Sequence, residues 1–153
     1  MIQIIIPVFV ILGSGLLFAY WFRCACLLIL VAKSPRDYAR GVELANQLSF
    51  SAVQLALRNS PTDLASLQDA LDFDFRILTR LLLYAAASHQ PQETIERLML
   101  RINYWTIRAW CSITWRFSPQ AARRALQEMA VIVAHFASTL GERLAQTRSV
   151  GPV

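Results

Sequence analysis

A chain of 153 residues has room for one compact domain and one membrane segment, not for two independent cores. Its hydrophobic share, 56%, exceeds the roughly 45–50% of soluble domains, and five Gly with six Pro leave little turn material, so the composition argues against a β-rich fold. The net charge of +5, from fourteen Arg and one Lys against ten acids, is too small an excess to imply nucleic acid; three cysteines without a C-x-x-C pair point to neither a disulfide framework nor a zinc site.

The first element is apolar. Ile4 to Phe22 are nineteen consecutive uncharged positions, close to the ~20 that cross a hydrocarbon core as a helix. A basic n-region and an A-x-A site are both missing, which argues against a cleaved signal peptide. No Lys or Arg precedes the span, whereas Arg23, Lys33, Arg36 and Arg40 follow it, so the positive-inside rule places the N-terminus outside and the rest in the cytoplasm. The apolar run resumes over Cys24 to Ala32: either the helix tilts and Arg23 snorkels, or residues 24 to 32 form an apolar neck. Gly15 and Ala19 are spaced to seat a second membrane helix. Residues 1 to 33 are therefore expected to be a transmembrane helix with its neck, in contact with the lipid bilayer.

Beyond the span, Ser34-Pro35, Ser60-Pro61, Gln90-Pro91 and Ser118-Pro119 punctuate the chain. Pro suits the first helical position, Ser suits the N-cap, and Asp37, Asp63 and Glu93 add negative charge near the helix start. Four helices are predicted, at about 35–58, 61–87, 91–116 and 119–146, followed by a disordered tail over 147–153.

Each predicted helix has an apolar stripe. The first offers Tyr38, Val42, Ala45, Leu48, Ala52 and Leu55, and the second Leu64, Leu67, Leu71, Phe75, Leu78 and Leu82. The third offers Ile95, Leu98, Ile102, Trp105, Ala109 and Ile113; the fourth has Ala122, Leu126, Met129, Ile132, Phe136, Leu140 and Leu144. Short connections between helices of similar length predict an all-α fold, with an antiparallel four-helix bundle over residues 34–146. Asp72 with Arg76, Glu93 with Arg97, and Arg124 with Glu128 read as i,i+4 pairs on outer faces.

Chemistry has few places to sit. His89 falls at a turn, and His135 lies in an apolar run without the Glu-x-x-His partner of a di-metal bundle. Asp72 and Asp74 diverge by about 200° on a helix, and Asp69 with Asp72 reads as a solvated face. No Gly-rich phosphate loop, G-x-S-x-G elbow or H-E-x-x-H helix occurs, so no catalytic residue, metal or cofactor is assigned.

The third helix stands apart. Tyr104, Trp105, Trp110, Trp115 and Phe117 alternate with Arg101, Arg108 and Arg116, giving more apolar circumference than one face of a bundle covers. Arg101, Tyr104, Arg108, Trp110 and Trp115 are therefore the candidate interaction surface, in the aromatic-and-arginine composition of binding hot spots. The expected role is a membrane-anchored, non-enzymatic scaffold, assembly factor or accessory subunit with a protein partner, with homo-oligomers allowed and nucleic acid not expected. The alternatives are a regulatory or sensory bundle that repacks on binding, and a bundle enzyme or cofactor carrier using His135.

Overall fold

The structure, a computed structural model, describes residues 2–32, 38–59, 63–84 and 91–150, and all of its regular elements are helices. The chain divides into two compact units, Met1–Lys33 and Ser34–Val153.

The first unit is one helix, α1 (Ile2–Ala32). At 1.5 Å per residue its 31 residues extend roughly 46 Å. The helix runs unbroken through Arg23; Pro7, its sixth residue, lies inside it past the first turn, where it removes one backbone hydrogen bond. Its Ile6–Val31 stretch is long and apolar enough, by length and composition, to cross a membrane. Phe9, Leu16, Phe18 and Trp21 are all exposed. A methyl group added at Gly15 meets nothing within 4 Å, and Ala19 is exposed, so that pair lies open on the helix surface.

In the second unit the helices are α2 (Tyr38–Asn46), α3 (Phe50–Arg58), α4 (Leu64–Tyr84), α5 (Pro91–Thr114) and α6 (Pro119–Val150). The long helix α6 packs against α2, α3, α4 and α5. That explains why Ala122, Leu126, Met129, Ile132, Phe136 and Leu140 are buried together with Ala130, Val133 and Ala137. Helices α4 and α5 run in opposite senses, because Gln68 meets Ser112, Asp72 meets Arg108, and Phe75 meets Tyr104. The four-residue connection 115–118 and the contact of Cys111 with Ala122 likewise fold α6 back on α5.

The start signals divide. Pro119 is the first residue of α6, and Ser118 Oγ accepts the Ala121 N–H at 3.4 Å, as an N-cap should. Pro91 likewise begins α5. For α4 the cap is Asp63, whose Oδ1 accepts from the N–H groups of Ala65 and Ser66; Ser60-Pro61 and Ser34-Pro35 lie outside the described residues. The final helix extends to Val150, past the predicted end at 146.

The expected continuous helix over 35–58 is broken. Gln47 takes a left-handed φ of 52°, and the Leu48 N–H bonds the Glu43 carbonyl at 3.0 Å, which is the Schellman closure of α2. Gly or Asn normally marks such a stop, so the sequence carried no warning. The break also redistributes the stripe: Val42, Leu48, Val53 and Leu57 are buried, while Leu55 and Ala52 are exposed.

Gly141 sets the approach of α2 to α6. A Cβ there would lie 2.6 Å from Tyr38 Cβ and 3.3 Å from Val42 Cγ2, closer than packed carbon atoms sit.

Candidate functional site

The candidate surface is built on α5, which is apolar on two sides. One side packs inward: Leu100, Tyr104, Ile107 and Cys111 are buried, with Asn103 and Thr114 beside them. The other side carries Ile95, Leu98, Ile102, Trp105, Ala109 and Ile113, all exposed. This second set is the stripe that periodicity assigned to the core. The assignment is corrected, since both stripes repeat at three-and-four spacing and periodicity cannot choose between them.

What turns the first side inward is a buried polar cluster. Asp72 of α4 is buried; its Oδ1 accepts from Tyr104 OH at 2.8 Å and its Oδ2 from Arg108 Nε at 2.5 Å. The Tyr104 ring stacks on Phe75, centroids 3.8 Å apart, and Phe136 meets Phe75 edge-on. Burial first, then the Asp72 hydrogen bond and charge, holds the Tyr104 phenol far above its ordinary range, so it stays a proton donor. Asp72 is thus no member of a solvated face with Arg76, as the sequence reading had it; a carboxylate buried here needs donors, and α5 supplies them.

Tyr104 is accordingly not part of the surface to which it was assigned. Its exposure is 0%, whereas Trp110 at 57% and Trp115 at 47% stand in solvent. Arg101 is exposed, and Arg108 is half-buried with its guanidinium 5.2 Å from the centre of the Trp105 ring. Asp72 therefore fixes the guanidinium that lies over Trp105.

Two grooves flank the exposed stripe. One, of about 220 Å³, lies between α4 and α5 and is lined by Leu82, Leu83, Leu98 and Phe136 with Thr79, Arg97 and Arg101. The Thr79 hydroxyl is buried there without a hydrogen-bond partner, although Thr106, Thr114 and Thr139 each donate to the carbonyl four residues earlier. The other groove is shallower and runs along α5 past Leu98, Arg101, Ile102, Trp105 and Ala109. These grooves went unnoticed in the sequence; Leu83 beside Leu82, outside the α4 stripe, was the available signal.

A second polar cluster lies at the start of α3. Asp74 Oδ2 accepts from the Ser49 N–H at 2.8 Å and from Ser49 Oγ at 3.2 Å, while Glu43 Oε1 accepts the Ser51 N–H at 3.0 Å. Two buried carboxylates thus receive N–H groups that a helix start leaves without partners. Burial pushes the Asp74 carboxyl above its ordinary value, the Ser49 and Phe50 hydrogen bonds oppose that, and the Glu43 charge adds to it. The Cys111 thiol is raised by burial and by Asp72, which makes it a poor nucleophile.

Among the described residues no three His, Cys, Asp or Glu side chains come together as a metal site. His135 is half-buried on α6, and His89 lies outside the described residues. Compared with protein-family models, curated proteins and solved structures, the chain finds no match.

Proposed function

We propose that this protein is a single-pass membrane adaptor. In this reading α1 crosses the bilayer with its N-terminus outside, and the unit 34–153 presents α5 to a protein partner on the cytoplasmic side, as a scaffold, assembly factor or accessory subunit. The unit is read as an antiparallel four-helix bundle in which α2 and α3 share one position. Support for the bundle comes from the opposed senses of α4, α5 and α6; support for the orientation comes from Arg23, Lys33, Arg36 and Arg40 on one side of the span.

The exposed stripe of α5 carries the reading. Six apolar or small side chains lie along one helix face, Trp110 and Trp115 are exposed as well, and contiguous apolar surface on a protein marks a place of contact. Aromatic residues beside arginine are the composition in which binding energy concentrates. The test is to purify the full chain from its native membranes as wild type, Ile102→Asp and Trp110→Ala. Both variants should keep the helical circular dichroism and melting temperature while losing the co-purifying partner, by about 2 kcal/mol or more of binding for Trp110→Ala. Partner retention in both variants, or unfolding of either, would remove the surface.

A second reading is favoured by Glu43 and Asp74. Carboxylates buried at the start of α3 make that element dependent on protonation and on its neighbours, as a helix that repacks in a regulatory bundle would be. Partner-induced loss of amide protection confined to α3 would select it.

A further inference from the structure

The exposed side of α5 has the spacing of a coiled-coil seam. Written in heptads from Ile95, positions a and d are Ile95, Leu98, Ile102, Trp105, Ala109 and Ser112, all exposed, whereas c and f hold the half-buried Arg97 and then Leu100, Tyr104, Ile107, Cys111 and Thr114, all buried. A seam of a and d residues accepts knobs from one facing helix, and its narrow width distinguishes it from the broad face a helix turns toward a protein core. Seam and core thus occupy separate sides of the same helix.

The polar groups beside the seam are donors. Arg101 and Arg108 fall at g; Arg108 is held by Asp72, while Arg101 is exposed and lines both grooves. Arg97 and the unpartnered Thr79 hydroxyl line the groove into which the seam leads. Among the described residues no Asp or Glu lines either groove. Arg101 is the exposed charge beside the seam, and its complement is a carboxylate.

Resting on the reading of α5 as a docking face, we propose that its occupant is an amphipathic α-helix of a partner protein, with apolar residues in heptads and Glu or Asp on the flanks. The apolar residues seat between Leu98, Ile102 and Trp105, and a flanking carboxylate meets Arg101. A second copy of α5 lacks this chemistry. Paired antiparallel it sets g against g, so arginine faces arginine; paired in parallel, Arg101 faces Thr106 and Arg108 faces Ile113. Neither arrangement supplies a counter-charge.

The test uses the full chain in nanodiscs and two synthetic peptides of about four heptads. Both have Leu at a and d; one has Glu and the other Lys at e and g, so that neither self-associates. Wild-type protein should bind the Glu peptide about ten-fold more tightly than the Lys peptide, a preference that shrinks with added salt. Arg101→Glu, with unchanged circular dichroism, should cancel or reverse the preference, and Ile102→Asp should abolish binding of both peptides. Equal binding of the two peptides, lost in Ile102→Asp, overturns the acidic flank and leaves the docking face standing. Failure of either peptide to bind overturns the helical occupant. Disulfide cross-linking of two copies through Thr106→Cys overturns it in favour of self-association. Trp21 of α1 is quenched by brominated anionic lipid in every variant; additional quenching that Trp105→Phe removes assigns the stripe to the membrane and overturns the docking face as well.

Discussion

Asp72 and Asp74, two residues apart on α4, serve two different neighbours. Asp72 reaches Tyr104 and Arg108 of α5, and Asp74 reaches Ser49 at the start of α3. Their divergence on a helix was visible in the sequence, but their burial was not, because nothing local distinguishes a carboxylate with distant donors from a solvated one. The Tyr104→Phe substitution keeps the ring on Phe75 and leaves Asp72 Oδ1 without its donor. It should lower the unfolding free energy by about 1–3 kcal/mol, read from urea denaturation of the full chain in detergent. Asp74 is tested by pH. Its folded carboxyl titrates above the ordinary value of 3.8, so its contribution is fully present below that value and is lost as pH rises through the folded pKa. An Asp74→Asn variant lacks this loss, and its stability relative to wild type should therefore rise from acid to neutral pH. A constant difference would mean that Asp74 titrates normally.

At the scale of elements, glycine separates open faces from packed ones. Both Gly41 and Gly141 are helical; nothing lies within 4 Å of a Cβ added at Gly41, whereas Gly141 abuts α2. Gly41→Ala should stabilise by up to about 1 kcal/mol through helix propensity. Gly141→Ala should destabilise by roughly 1–3 kcal/mol despite the same propensity gain, since Tyr38 must move. Thermal melts of both variants check the pair, and a gain at both positions would dismiss the close approach of α2 to α6. The stripes make a parallel comparison. Phe75→Asp and Phe136→Asp place a charge in the core and should cost several kcal/mol, while Ile102→Asp, on a residue 48% exposed, should be nearly neutral for folding. Equal losses in all three would return the α5 stripe to the interior. Of these elements, α4 and α6 were legible with their buried faces, because each has a single dominant apolar side. Helix α5 was legible as a helix but not in its rotation, and the break between α2 and α3 was not legible at all.

For the whole molecule, deleting residues 1–33 should move the chain from the membrane to the soluble fraction while the remainder keeps its helical circular dichroism. If residues 34–153 stay with the membrane after an alkaline wash, the α5 stripe itself inserts into lipid and the adaptor reading falls. The apolar length of α1, the helical class and the two apolar sides of α5 were determined by sequence alone. They depend on composition and on spacing along one helix, which require no knowledge of neighbours. Tertiary structure decided which side of α5 turns inward, where α2 stops, and which carboxylates are buried. Each of those outcomes depends on a partner distant in the chain: Asp72 draws Tyr104 and Arg108 inward, and Asp74 receives the N–H of Ser49. A buried charge without such donors costs several kcal/mol, so the pairing of distant polar groups, rather than the periodicity of apolar ones, selects between two otherwise equivalent faces.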